Sequence, residues 1–389
     1  MKAKILVDTK SLLSSLSGVG RYAYEVLRGL DKDKFDAYFN YGFISQEIIL
    51  PKKQDALSVK DLYRKKITRA LKAIFIFFPT WFKTAARVVL KKLNEYRLKE
   101  CEFDIYFQPN FIPLDVNAKF IVVAIHDLAF IKHKEFHPKD RIEFFDKFFV
   151  KNISKADKII TVSNFIKKEI VATLEIDSKD VEVIYNGYDE NVFYKRDKIA
   201  QTSLKDELDL KKEFILFVGS IEPRKNLKTL IKSYNLLDED LQNKFDLVIV
   251  GAKGWENSEI HNLIKQNSNI KFLGYIDDES LATLYSAATV FVYPSVYEGF
   301  GIPPLEAMAC GCPVMLSDIE VFREIYSSNA VFFDTLNEVD LKEKMLNLLT
   351  DKDKQIKLAE CGLEFCKNFT WAKSAKAHSD LFLSLKNSI

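Results

Sequence analysis

The sequence predicts an α/β protein built from two doubly wound domains, and three observations carry that expectation. Short β-rich runs alternate with amphipathic helical stretches along the chain. Several of those runs are apolar on both faces, as parallel strands covered by helices should be. The alternation also begins afresh near the middle, after the polar, Lys- and Asp-rich stretch Tyr194–Lys212.

Strand candidates in the first half are Lys4–Val7, Ala37–Tyr41, Asp104–Phe107, Phe120–Ile125, Lys158–Val162 and Val181–Ile184. In the second half they are Phe214–Val218, Phe245–Val250, Ile270–Phe272, Val290–Tyr293, Pro313–Leu316 and Ala330–Phe333. Helical patterns fall between them at Arg21–Leu30, Asn164–Leu174, Leu227–Leu237, Ser280–Ser286 and Pro304–Ala309. A chain of 389 residues is comfortable for two such domains. A linker in Tyr194–Lys212 sets the first domain over 1–195 and the second over 196–370. Sheets of this kind bind ligands beyond the carboxyl ends of their strands.

The formal net charge of +2 is too near zero for a nucleic-acid binder. The apolar run Ile5-Leu6-Val7 ends at Asp8, too short for the core of a signal peptide. No apolar run reaches the length that spans a bilayer. The five cysteines are an odd number, and no His stands near Cys310 and Cys312 or near Cys361 and Cys366 at zinc-like spacing. They read as free thiols in a reducing cytoplasm, with a metal site as the lesser alternative. One segment breaks the alternation. Lys52–Lys99 carries 14 Lys or Arg against three acids and holds the aromatic-rich run Leu71–Phe82. That composition suits a peripheral anchor on a membrane surface. A helical insertion with its apolar face packed inward is the alternative.

The strongest local signal is Glu298-Gly299-Phe300-Gly301-Ile302-Pro303-Pro304-Leu305-Glu306. Its glycines let backbone approach a ligand closely, and its prolines pre-set a first helical turn. Free amides at that helix start suit a diphosphate. Glu298 falls in the loop and Glu306 in the expected first turn, so the two carboxylates can accept hydroxyls from different parts of one ligand. The plain structural reading makes Glu306 a partner of the helix dipole and Glu298 a solvated loop residue. The second signal, Gly219-Ser220-Ile221-Glu222-Pro223-Arg224-Lys225-Asn226, also follows a strand. Adjacent Arg224 and Lys225 can neutralise a pyrophosphate, and Asn226 can cap the next helix. Alone, it reads equally well as a solvated basic turn. Ser17-Gly18-Val19-Gly20-Arg21-Tyr22 is a Gly loop at a helix start but lacks the third Gly of the dinucleotide fingerprint. His126-Asp127 closes a strand, where the imidazole can hydrogen-bond a sugar or assist proton movement; a structural His is the alternative. The D-x-D strings Asp238-Glu239-Asp240 and Asp351-Lys352-Asp353 lie at helix ends and read as solvated surface.

These residues together resemble glycosyltransferase family 4, over nearly the full length of the chain. Ser17–Tyr22 is similar to the family's N-terminal Gly loop, and His126-Asp127-Leu128 to its His-Asp element. Val162–Phe165 and Tyr185–Asp189 resemble later signposts of the first domain, and Val218–Asn226 with the Glu-x7-Glu of Glu298 and Glu306 resembles the donor site. The chain departs from the family at Phe322-Arg323-Glu324, where relatives tend to have Pro before Glu. The resemblance implies a GT-B fold, two Rossmann-like doubly wound domains facing a central cleft. It implies a retaining, metal-independent hexosyltransferase with no cofactor, in which a nucleotide-diphosphate sugar is the donor. Arg224 and Lys225 then bind the pyrophosphate, Glu306 the ribose, and Glu298 the transferred sugar. Backbone at Phe300, Gly301 and Ile302 supports sugar and phosphates, Gly18 and Gly20 let the N-terminal loop close, and His126 contacts the sugar from the acceptor side.

The resemblance also implies that Trp371–Leu385, within 371–389, crosses back to the acceptor-binding first domain. The acceptor implied is a lipid-linked saccharide, as in O-antigen or capsule assembly, handled by an enzyme that is cytoplasmic and peripheral on the inner face of the membrane. Likeness to mannosyltransferase-like relatives points to mannose from GDP-mannose; glucose, galactose, N-acetyl sugars, fucose and rhamnose stay open. Two other classes compete: a nucleotide-sugar epimerase of similar fold, and a non-catalytic saccharide-binding protein.

Overall fold

A computed structural model of the chain describes residues 2–13, 18–50, 89, 92–252 and 258–388. The first sheet contains β1 (Ala3–Asp8), β2 (Phe35–Asn40), β3 (Ile44–Ser45), β4 (Phe103–Gln108), β5 (Ala118–Ile125), β6 (Lys158–Thr161) and β7 (Val181–Val183). Their order is β3-β2-β1-β4-β5-β6-β7, parallel except at the β2–β3 edge pair. The second sheet contains β8 (Glu213–Val218), β9 (Phe245–Val250), β10 (Ile270–Gly274), β11 (Val290–Tyr293), β12 (Val314–Ser317) and β13 (Val331–Phe333). It is parallel throughout, in the order β10-β9-β8-β11-β12-β13. Helices cover both sheets because both faces of the strands are apolar; every residue of β9 and β11 is buried.

Strand order turns once in each sheet, between β1 and β4 and between β8 and β11. Loops diverge at such a point and leave a crevice beyond the strand ends.

The stretch Tyr194–Lys212, read as a polar linker, holds the helix Lys198–Glu207. Asp197 caps it by accepting from the Ala200 amide at 2.8 Å. Leu204 and Leu208, one turn apart, pack on the second core while the lysines face outward. Two apolar residues in a polar run are enough to dock a helix and too few to mark one. The two D-x-D strings contribute helix caps: Asp238 accepts from the Leu241 amide and Asp351 from the Lys354 amide.

The C-terminal helix Trp371–Asn387 crosses to the first domain and packs on the helix Val19–Arg28. Trp371, Phe382 and Leu385 join that domain's core. Each such burial contributes about 1.5–3 kcal/mol, which holds the crossing against the entropy of ordering it. Gly29 marks the closest approach, where a Cβ would lie 2.3 Å from the Ala375 Cβ. His378 is fully buried there; its Nδ1–H donates to the Ser374 carbonyl and its Nε2 accepts from the Tyr22 hydroxyl at 2.7 Å. Burial pushes this imidazole down to about 4, so it is a neutral structural link.

Ser17 and most of Lys52–Lys99, including Leu71–Phe82, lie outside the described residues. Among the described residues no helix is long and apolar enough to cross a membrane.

Candidate active site

The loops after β8 and β11 meet at the turning point of the second sheet. After β8, Pro223 opens one turn of tight helix, Pro223–Lys225, which presents Arg224 and Lys225. After β11 the chain passes Val296, whose amide donates to the Arg224 carbonyl at 2.9 Å and ties the two loops together. Glu298 follows, only 7% exposed.

Glu298 lies between the two cations. Its Oε2 is 2.7 Å from Arg224 Nη1 and its Oε1 is 2.5 Å from Lys225 Nζ. Arg224 also donates to the Tyr297 carbonyl at 2.8 Å and to Glu222 Oε1 at 2.9 Å. Lys225 donates to the Tyr293 hydroxyl at 2.5 Å and stands 4.8 Å from that ring's centroid. Burial alone would raise the Glu298 carboxyl, but Arg224 and Lys225 outweigh it and hold the group near 2. Burial pushes the Lys225 ammonium down, with Glu298 opposing. The Arg224 guanidinium, also penalised by burial, is held charged by Glu298, Asp127 and Glu222. The result is a compact, largely desolvated charge cluster in which two cations are paired with two carboxylates.

Glu306 is set apart from this cluster. The helix runs Ile302–Ala309, starting two residues before the apolar pattern suggests, because Gly301 takes the left-handed conformation at φ 97°. Glu306 therefore lies in the second turn, not the first, and the dipole reading loses its basis. Pro303 and Pro304 also remove two of the amides a helix start normally offers, so an anion here would rely on Phe300, Gly301 and Ile302. The Glu306 side chain is buried, with the Tyr285 hydroxyl 3.4 Å from Oε2. Burial pushes its carboxyl up to about 7, with the nearby Arg21 opposing. Arg21 reaches in from the first domain and pairs with Asp278 of the second.

Gly18 caps the helix Val19–Arg28 at φ 44°, a backbone that favours Gly, and Gly20 is buried in its first turn. His126 follows β5; its Nε2–H donates to the Pro109 carbonyl at 2.8 Å. Burial lowers its pKa, so the ring is neutral and Nδ1 keeps its lone pair. The Tyr22 ring packs edge-on against it at 4.6 Å.

The domains touch at this point. Ser163 Oγ donates to the Gly299 carbonyl at 2.8 Å, and the Tyr297 hydroxyl accepts from the Leu128 amide at 3.0 Å. Glu324, in the segment that departs from the family pattern, accepts from the amides of Asn164 and Phe165, both at 2.7 Å. It thus holds a helix start of the first domain from the second. A Cβ on Gly299 would lie 1.8 Å from the His126 carbonyl oxygen. Gly299→Ala must therefore push His126 away from Glu298. A displacement of about 1 Å can cost a hundredfold in rate, so kcat/KM is expected to fall by roughly that factor while each domain stays folded. Wild-type kcat/KM with an unchanged melting temperature would contradict this.

The structure thus brings Arg224, Lys225, Glu298 and Gly299 together with His126, and sets Glu306 beside Arg21. Asn226 occupies the expected cap position, but its side chain accepts from Thr229 Oγ1 and donates to the Thr335 carbonyl instead of capping backbone. Tyr293, Tyr285, Tyr297, Arg21 and Asp278 were not singled out by their residue type or spacing. Only Arg21, inside the Gly loop, and Tyr297, beside Glu298, carried a positional signal.

Two family models match this chain. Glycosyltransferase Family 4 matches residues 16–192 and Glycosyl transferases group 1 matches residues 199–364. Between them they span most of both domains. The chain belongs to the family 4 glycosyltransferases. The O-antigen chain mannosyltransferase B of Escherichia coli is 28% identical to this glycosyltransferase over 376 residues, covering 95% of this chain and 96% of that one. The serotype-specific mannosyltransferase WbdA of Escherichia coli is 31% identical over 290 residues; 71% of this chain matches 35% of WbdA, so the glycosyltransferase spans about a third of that relative. Among solved structures, WaaG, a glycosyltransferase involved in lipopolysaccharide biosynthesis, superposes with a TM-score of 0.72 at 16% identity over 97% of this chain and 99% of that one. That likeness establishes the GT-B fold.

Proposed function

We propose that this glycosyltransferase moves mannose from GDP-mannose, with retained anomeric configuration, onto a growing lipid-linked surface saccharide. One observation carries the reading: the buried Lys225 and the part-buried Arg224 converge on Glu298 at the turning point of the second sheet, across from His126. In transfer, positive charge develops on the sugar and negative charge on the departing diphosphate. Arg224 and Lys225 turn to the diphosphate and stabilise it, while Glu298 faces the sugar. The Glu306 carboxylate accepts the ribose hydroxyls, and amides at Phe300, Gly301 and Ile302 support the phosphates. The bare Nδ1 of His126 accepts a sugar hydroxyl. Two cations that can turn to the diphosphate take the place of a metal in this reading, and no cofactor takes part. Mannose rests on the relatives named above. The enzyme works in the cytoplasm at the membrane's inner face, where the basic 52–99 segment meets the lipid headgroups.

A donor panel tests this. GDP-mannose is expected to bind in preference to UDP-glucose, and GDP to be released only with acceptor present, undiminished by a chelator. Preference for another nucleotide sugar overturns the mannose assignment. Loss of transfer in the chelator overturns metal independence, and donor interconversion without release of GDP marks an epimerase.

A further inference from the structure

Tyr297 comes from the loop after β11 in the second domain, yet its ring is buried in an apolar cluster of the first. That cluster takes Ile125 from the end of β5, Leu128 and Phe130 from just beyond it, and Ile166 and Ile170 from the helix Asn164–Leu174. The Tyr297 ring centroid lies 4.8 Å from that of His133 and 6.1 Å from that of Phe165.

Apolar burial favours such an insertion but has no direction of its own. The hydroxyl supplies the direction. Its oxygen accepts from the Leu128 amide at 3.0 Å, and its proton goes to Glu169 Oε2 at 2.5 Å. Burial pushes the phenol far above its ordinary range, so it stays a protonated donor. Both partners belong to the first domain. At its other end the residue belongs to the charge cluster: the Tyr297 carbonyl accepts from Arg224 Nη1 at 2.8 Å, and Glu298 follows in sequence. Leu128 stands two residues beyond His126. One residue thus connects the Arg224–Glu298 cluster, through short links, to the segment that carries the facing imidazole.

We propose that Tyr297 is a positioning residue of the transferase, whose hydroxyl, held between the Leu128 amide and Glu169, fixes His126 opposite Glu298 and Arg224. Its importance for turnover rests on the reading of Glu298 and His126 given above; the link itself does not. Gly299 limits how closely the two segments approach, and the Tyr297 hydroxyl aligns them. Phe at this position would keep the buried ring and lose both hydrogen bonds. The Leu128 amide and Glu169 would then need other partners, so the loop shifts or water enters.

Kinetics of the full-length chain use the donor that wild type turns over best in the panel above. Tyr297→Phe is expected to lower kcat about ten- to a hundredfold. GDP affinity should be unchanged, because Arg224 keeps its bond to the backbone carbonyl. Glu169→Ala should lower kcat in the same direction. Glu169→Gln should restore most of it, since its side-chain carbonyl still accepts from the phenol. Tyr297→Phe combined with Glu169→Ala should fall no further than Tyr297→Phe alone. A residue serving stability only would lower the melting temperature and leave kcat and this coupling unmoved. Hydrogen exchange in the peptide containing Leu128, measured without substrate, should quicken in Tyr297→Phe. Wild-type kcat in folded Tyr297→Phe overturns the proposal; should that variant fail to fold, wild-type kcat in Glu169→Ala overturns it. Glu298→Gln is the separate control. If it turns over as wild type does, or if wild type uses no donor in the panel, the donor-site reading fails. The exchange at Leu128 still judges the link, and unchanged exchange removes it.

Discussion

Lys225→Met is expected to lower kcat about a hundred- to a thousandfold, the usual cost of losing one preorganised group that meets developing negative charge. Met retains most of the lysine's apolar stem, so the change removes the cation without opening a large hole in a well-packed wall. In the wild-type chain Nζ sits 2.5 Å from Glu298 Oε1 and from the Tyr293 hydroxyl. The variant leaves Glu298 with Arg224 as its one cation partner in the cluster. The deficit should shrink with a mannosyl fluoride donor, whose departing group needs less help from the cation. Turnover near the wild-type value would sink the role given to Lys225. A stability readout accompanies it. The folded Glu298 carboxyl, near 2, lies below its ordinary value of 4.5, so its contribution is present above about pH 4.5 and fades as pH falls toward 2. Without Lys225 that pKa moves up, and acid unfolding should begin at higher pH than in wild type.

Glu306→Gln is expected to stabilise the empty protein while weakening its hold on the donor. The Glu306 carboxyl titrates at about 7 in the folded chain against an ordinary 4.5. The folded state therefore binds this proton more tightly than the unfolded state. The sign follows: from this group alone, stability is highest below about pH 4.5, falls as pH rises toward 7, and is level above that. The difference is on the order of 3 kcal/mol, since each pKa unit is worth about 1.4 kcal/mol. Gln cannot ionise, so the variant should melt several degrees above wild type near pH 8, with the gap closing toward pH 4.5.

Donor binding should show the opposite trend. Ribose hydroxyls bonded to a carboxylate contribute about 1.5–3 kcal/mol each, so the donor KM should rise at least tenfold in the variant. In wild type the donor KM should fall as pH rises through about 7, when Glu306 ionises, and this dependence should vanish in Glu306→Gln. The same pH profile in both proteins would remove Glu306 from the donor site.

Both predictions turn on partners that linear spacing does not display. The strand positions were legible because several runs are apolar on both faces and half of them end at a Gly, Asp or His; all twelve expected strands are present. The two-residue β3 was not, since two residues carry no period. Helix starts were less legible. Ile302–Ala309 begins at Gly301 through a backbone conformation, which an apolar pattern does not record. The helix Lys198–Glu207 hides in a polar run because only a narrow stripe of it is buried.

By itself the sequence determined the α/β class, the family, the two-domain order and the residue types able to grip a diphosphate and a diol. Those properties live in local periodicity and in motifs a few residues long. Tertiary structure alone decided that Glu298 lies between Arg224 and Lys225, that Arg21 reaches across to Asp278 near Glu306, and that Gly299 rests against His126. The physical reason is common to all of them. Charge and burial act through distances of a few ångströms, and the folded sheets set those distances between residues tens to hundreds of positions apart.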